Sequence, residues 1–391
     1  MKKALFSFLT LAALLLIGCT EKKDANINVT VDEKLQNETW LVTASPFYPQ
    51  GNDTIITDTL VAEKGVITYT LSPDTIYFVD IYPASAIVGS GITERVDETR
   101  KVTVILSGQD HVNLNLTDEG SFISYTVEGQ ELSQTFATFH NEFRKTDGQK
   151  LNDIYAKFEK LDENDMDAMY ELSNEFQTLL TAHLGKMQTF ADEHPDTDFA
   201  ALFALIYTED GEEQHERIEQ LTDKVRNGMF KAAIDNALEQ YEQLEESNDA
   251  RKNMKAGNAA PDFTATDFEG KTISLSDYKG KKYVVIDFWG TWCYWCMKGV
   301  PDMKAYYHKY SNKVEFIGIN CGDEEEAFRK CVSEQEMNWR HIINPTDDDL
   351  TVKYGVQGFP TKIIVDKNGN IAAYIEGEDP AFYKKLDELF K

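Results

Sequence analysis

The alternation of apolar and polar positions divides the chain into three stretches. From Ile27 to about Thr126 short runs alternate with period two: Ile27–Val31, Thr39–Ala44, Thr54–Leu60, Val66–Leu71, Ile76–Ile81, Lys101–Leu106, Val112–Leu116 and Ser121–Val127. Turn residues separate them at the spacing of a sandwich or barrel, so residues 27–127 are expected to form an all-β, sandwich-like domain. From Glu128 to about Met254 the period becomes helical. Leu132, Phe136, Phe139 and Phe143 recur on one face, as do Leu172, Phe176, Leu179 and Leu180. Residues three and four apart share one side of an α-helix, which is what produces such stripes. Further stripes run through Ile218, Leu221 and Val225 and through Phe230, Ile234, Leu238 and Tyr241. Residues 128–254 thus read as a helical region of five or six helices, with breaks near Gly148, Pro195, Gly211 and Gly228.

Residues Gly257–Pro261 open the third stretch, 255–391. A hairpin is expected over Phe263–Leu275. Tyr283–Trp289 is a continuous β-branched and aromatic run, the mark of a strand buried on both faces. A helix follows to about Ser311, then a strand over Lys313–Ile319, a helix over Asp323–Glu336 and a short helix over Asp347–Tyr354. Strands Lys362–Val365 and Ile371–Ile375 flank the Asp366–Gly369 turn, and Pro380 opens a last helix. This order is that of an α/β domain. Right-handed crossovers put the carboxyl ends of its central strands, and whatever follows Trp289, at one edge.

The amino terminus reads Met1-Lys2-Lys3, an apolar core Ala4–Ile17, then Gly18-Cys19. A basic start before so short an apolar core predicts a secretion signal over residues 1–18. Leu16-Ile17-Gly18-Cys19 resembles a bacterial lipobox, which implies a lipidated Cys19, a tether over 19–26 and a lipid-anchored place in the cell envelope, facing the periplasm or the cell surface. Lipidation also accounts for the odd cysteine of five. The formal charge is −28, and residues 129–254 carry 28 acidic against 12 basic side chains. Such a surface excludes nucleic acid as a partner, because phosphates require basic contacts.

Candidate chemistry centres on Cys293 and Cys296, three apart at the expected start of a helix. That spacing closes a small disulfide ring, and unpaired backbone N–H groups at a helix start stabilise a thiolate. A zinc half-site and a purely structural bridge are the other readings. Zinc takes four ligands, and Cys321 and Cys331 are spaced too widely for a second knuckle. Ten residues apart, with Cys331 about 12 Å along a helix starting near Asp323, these two are expected to be separate, mostly buried thiols. His183, His194 and His215 match no ligand spacing, so neither metal nor cofactor is expected.

The segment Ile286–Cys296, IDFWGTWCYWC, resembles the active site of the thioredoxin superfamily, and residues 257–391 resemble its TlpA/ResA branch. The lead-in from Ala260 to Lys281, Pro301 and Gly358-Phe359-Pro360-Thr361 carry the same likeness. The resemblance implies a thioredoxin fold with a helix inserted before the proline loop, and an extracytoplasmic thiol–disulfide oxidoreductase. It makes Cys293 the nucleophile, Cys296 the resolving thiol, Pro360 a cis-proline facing the pair, and Asp287 a buried acid handling the resolving proton. The β stretch resembles a domain often found ahead of such folds. Trp289, Trp292, Tyr294, Trp295, Phe359 and Thr361 are expected to grasp peptide. Implied partners are protein disulfides and a membrane thiol electron donor, and the ResA branch extends the implication to cytochrome c biogenesis. Trp295 stands where many TlpA-type loops have Pro, and Gly299 where ResA-type proteins have Glu. Two other readings are a redox-inert scaffold lipoprotein and a peroxiredoxin. The latter requires a proline-led P-x-x-x-[ST]-x-x-C segment, and here Thr291 lies two before Cys293 with no such proline.

Overall fold

The computed structural model describes residues 26–47, 54–73, 75–89, 94–161, 165–208, 210–345 and 348–390; Cys19 and the expected secretion signal lie outside them. The chain forms two compact units that meet in sequence between Ile234 and Asp235. The first contains β1 (Ile27–Val31), β2 (Thr39–Pro46), β3 (Ile56–Val61), β4 (Val66–Tyr69), β5 (Ile76–Pro83), the short pair β6 (Ile87–Val88) and β7 (Arg95–Val96), β8 (Val102–Ser107), β9 (Val112–Asp118) and β10 (Ile123–Glu128). They build two four-stranded sheets, ordered β10-β9-β1-β4 and β3-β2-β5-β8, and among the described residues of these sheets only β1 and β9 pair in parallel. One residue in two along β1, β2 and β9 is buried, and these side chains fill the core between the sheets. This is the sandwich that the period-two runs predict.

Helix α1 (Glu131–Phe143) closes one edge of each sheet. Ser133 Oγ donates to the carbonyl of Ile105 on β8 (2.7 Å) and accepts from its N–H (3.1 Å). Two turns on, Asn141 does the same for Tyr125 on β10, donating to its carbonyl (2.7 Å) and accepting from its N–H (3.1 Å). Each side chain stands in for the next strand. An open edge strand is a template for unwanted pairing, and these two are thereby occupied. The buried Arg144 adds bonds to the Lys101 carbonyl (2.7 Å) and Asn141 Oδ1 (2.7 Å), with its guanidinium over the Tyr125 ring.

A π-helical segment, Arg144–Gly148, joins α1 to α2 (Gln149–Phe158), so the helix runs through Gly148 where a break is expected. A Cβ on that glycine would sit 3.2 Å from Thr99 Cγ2, so packing against the sandwich accounts for the residue. Then come α3 (Met166–Glu193), α4 (Asp198–Ile206), α5 (Gly211–Gln220), α6 (Asp223–Arg226) and α7 (Lys231–Asn253), one or two more helices than the stripes imply. His183 packs at a tilt against Phe143 and His194 against Phe190. No helix among the described residues is long and apolar enough to cross a membrane.

The second unit has the hairpin β11 (Thr264–Thr266) and β12 (Thr272–Ser274), then β13 (Tyr283–Trp289), α8 (Tyr294–Tyr310), β14 (Val314–Asn320), α9 (Glu325–Glu334), β15 (Arg340–Ile343), α10 (Leu350–Lys353), β16 (Thr361–Val365), β17 (Ile371–Glu376) and α11 (Pro380–Phe390). The five-stranded sheet is ordered β15-β14-β13-β16-β17. β15 is an addition to the expected order. Its four residues follow too closely on α9 to show a period. Along β13, Val284, Ile286 and Phe288 face one core with Phe263, Ile273 and Tyr354. Successive strand residues point to opposite faces, so Val285, Asp287 and Trp289 face the other core, beneath α8 and α11.

Candidate redox site

β13 ends at Trp289, and the chain turns through Gly290 and Thr291 into α8. A Cβ on Gly290 would lie 2.4 Å from Trp292 Nε1 and 2.8 Å from the Cys321 carbonyl, which explains glycine there. The turn is clasped from the loop after β14. Asp323 accepts from the N–H of Thr291 (2.8 Å), from its hydroxyl, and from Asn320 Nδ2 (2.8 Å), while Trp292 Nε1 donates to Cys321 O (2.8 Å). Nothing in the spacing of the chain announces Asp323 as part of this site.

Cys293 is the N-cap of α8, and its sulfur accepts the N–H of Cys296 at 3.1 Å. The two sulfurs are joined, at 2.10 Å with Cα atoms 5.2 Å apart. A sulfur at a helix start receives donors that no carbonyl takes, and the helix dipole favours negative charge there. Cys321 is buried and Cys331 half-buried against Met297; burial pushes both thiols up, and neither is in a disulfide.

Around the pair, Trp292 (57% exposed), Tyr294 (70%) and Trp295 (53%) lie open. Trp292 meets Phe359 edge-on at 5.3 Å, and Lys298 Nζ sits 4.6 Å above the Trp295 ring. Two of the expected peptide contacts are elsewhere. Trp289 is buried under the site against Phe328, because it sits on the inward face of the strand. Thr361 is fully buried and donates to the Gly358 carbonyl (2.7 Å), so its side chain holds the proline loop instead of lying on the surface. The Phe359–Pro360 peptide is cis, and Pro360 lines a small internal cavity with Cys296 and Asp287.

Asp287 is buried in that cavity. Burial lifts its carboxyl to about 6, Glu378 adds to the rise, and Lys362 opposes it. Taking a carboxylate out of water disfavours the charged form, hence the direction. Lys362 lies directly across the strand pair from Asp287, is only 3% exposed, and its Nζ is 3.9 Å from Asp287 Oδ1 and 2.6 Å from Glu378 Oε2. Glu378 comes from the turn between β17 and α11 and accepts from Tyr383 Oη at 2.8 Å. Its carboxylate fills the space over Gly299, where a Cβ would lie 2.3 Å from Oε2. Sequence reasoning missed Lys362 and Glu378. The available signal was a lysine inside the apolar run of Thr361–Val365, a charge at a position whose neighbours are all buried.

A mixed sheet with a cysteine pair at the mouth of a helix, opposite a cis-proline, is the arrangement of thioredoxin-fold proteins. A family model described as the AhpC/TSA family matches residues 256–374. The thiol-disulfide oxidoreductase ResA of Bacillus thuringiensis is 37% identical over 139 residues, 35% of this chain and 78% of the relative; ResA of Bacillus subtilis is 33% identical over 128 residues, 32% of this chain and 70% of the relative. The thioredoxin domain of a thiol-disulfide oxidoreductase from Bacteroides vulgatus is similar at 31% identity with a TM-score of 0.33, covering 35% of this chain and 99% of that one. The chain belongs to the ResA family of thiol-disulfide oxidoreductases, through its C-terminal unit.

Proposed function

We propose that the protein is a lipid-anchored, envelope-facing reductase of protein disulfides that works through Cys293 and Cys296. The observation that carries this reading is the joined pair at the N-terminus of α8, with Asp287 buried behind Cys296. In the reduced protein the Cys293 thiolate attacks one sulfur of a substrate disulfide. A mixed disulfide forms, and the other substrate sulfur leaves as a thiolate and takes up a proton. The Cys296 proton passes to Asp287, the Cys296 sulfur attacks Cys293, and the second substrate thiolate departs. Two electrons have then moved from the dithiol to the substrate. A membrane thiol donor returns them in this reading. Trp292, Tyr294, Trp295 and Phe359 offer an aromatic rim for a flexible peptide.

Lys298, a cation near the start of α8, is engaged with Trp295, Lys362 behind the site is held by Glu378, and the residues between the cysteines are Tyr294 and Trp295. This favours a modestly stabilised thiolate, and therefore a reductant rather than an oxidant. Anchoring rests on the lipobox reading of Cys19. The test is insulin reduction by the purified protein and by Cys293→Ser. Loss of turnover in the variant is expected; unchanged turnover contradicts the proposal. Labelling with palmitate, present in the natural protein and absent from Cys19→Ala, tests the anchor.

A further inference from the structure

Asp287, Lys362 and Glu378 form a buried row that the exchange chemistry alone does not require. Lys362 is close to two carboxylates but bonded to one. Glu378 holds it at 2.6 Å, whereas Asp287 Oδ1 is 3.9 Å away and accepts no hydrogen bond. A lysine present only to neutralise Asp287 would sit on Asp287. Here the ammonium is drawn off by Glu378, which Tyr383 fixes from α11 and which occupies the hollow over Gly299 beside the resolving cysteine. The Asp287 oxygen is left open toward the cavity it shares with Cys296.

We infer that Lys362 and Glu378 are positioning residues for proton transfer at Cys296: Lys362 keeps Asp287 able to ionise in its buried site, and Glu378 limits how far, so that together they set the pH at which Asp287 takes and returns the Cys296 proton. The inference rests on the reductase reading of the same site. The groups facing Asp287 from the elements packed on it are Cys296 of α8, Lys362 of β16, Glu378 of the β17–α11 turn and Tyr383 of α11, while Cys321 after β14 feels its charge from the other side of the sheet. The step is balanced. The Cys296 S–H proton goes to Asp287, the sulfur's electron pair forms the bond to Cys293, and the bond from Cys293 to the substrate breaks. Reduction of the Cys293–Cys296 bond by a donor thiol draws the proton back.

The two neighbours carry opposite charge, so their removal has opposite sign. A purely structural ion pair would leave the pH profile of insulin reduction in place while the Asp287 midpoint moves. The experiment follows the carboxyl carbon of Asp287 by NMR against pH in the oxidised full-length protein, beside the pH profile of insulin reduction. In Lys362→Met the midpoint should rise by about 1–3 pH units, the range an opposite charge at this distance commands. In Glu378→Gln, which keeps the shape and the contacts to Lys362 and Tyr383, it should fall, and the insulin profile should follow each shift. Lys362→Arg should restore the natural midpoint. Midpoints that stay put, or move in the same direction, overturn the inference. Should Lys362→Met fail to fold, Glu378→Gln decides alone: a fall supports the inference, and no change or a rise overturns it. Absence of insulin reduction by the natural protein would instead contradict the reductase reading, and the titration would still report on Asp287.

Discussion

The two units treat their buried polar groups differently. In the β-sandwich unit the buried Asn26, Ser133 and Arg144, and the half-buried Asn141, all bond to backbone. Asn26 Nδ2 alone reaches the carbonyls of Gly108 (2.6 Å) and Asp110 (3.1 Å), while its Oδ1 accepts from Leu71 N (2.8 Å). In the thioredoxin-fold unit Asp287 Oδ1, Trp289 Nε1, Trp339 Nε1 and His341 Nδ1 are buried without a hydrogen-bond partner, and all lie on the α8 side of the sheet. Among the described residues the first unit has two such atoms, Trp40 Nε1 and Thr208 Oγ1. An unpaired buried polar group costs about 1–3 kcal/mol. A fold that tolerates four beside one disulfide is giving up stability where the chemistry is, while the sandwich uses its polar groups to hold itself together.

The contrast makes Asp287→Asn the most informative substitution. Insulin reduction at pH 7 should fall about 100-fold, the ordinary scale for losing a positioned acid–base group. Stability should move the other way. The folded carboxyl titrates at about 6, above about 3.9 for the unfolded chain. The folded state therefore holds the proton more tightly, and the natural protein loses stability as pH rises from about 4 to 6. Urea unfolding of the oxidised variant should show a gain of about 3 kcal/mol at pH 8 and none below pH 4. A variant less stable than the natural protein at pH 8 would break the comparison from this side.

Effects in the sandwich should be structural only. Asn141→Leu strands the N–H and carbonyl of Tyr125 at the edge of β10 and should cost about 2–4 kcal/mol in urea unfolding, with insulin reduction unchanged. Ser133→Ala, which strands the same groups of Ile105, should cost about 1–3 kcal/mol. The smallest change is expected at Trp339. Its indole N–H has no partner to lose, so Trp339→Phe should cost only the packing of the lost ring atoms, about 1–2 kcal/mol. A cost several times larger would exceed what lost packing explains and would weaken the contrast.

Much of this was legible in the residues. The eight alternating runs mark the eight long strands of the sandwich, because one buried face imposes period two. The run Tyr283–Trp289 marks the central strand, because both its faces are covered. The resemblance of Ile286–Cys296 points to the disulfide and to Asp287. What stayed hidden depends on contacts far apart in sequence. Lys362 and Glu378 are ordinary charges until β16 is set against β13 and the turn after β17 is folded over Gly299. Ser133 and Asn141 interrupt an apolar stripe and look like surface residues until two sheet edges arrive beside them. β15 carries too few residues to display a period.

The most direct test of the central claim, that the second unit is a reducing dithiol centre at Cys293 and Cys296, is its equilibrium with glutathione. The full-length protein is held in buffers of graded reduced and oxidised glutathione, and the fraction of the Cys293–Cys296 disulfide is read by thiol labelling. The account predicts one reversible two-electron transition, lost in Cys293→Ser, at a potential on the reducing side of about −200 mV. A pair with no reversible transition, or one near the roughly −120 mV of a strong oxidant, would contradict it.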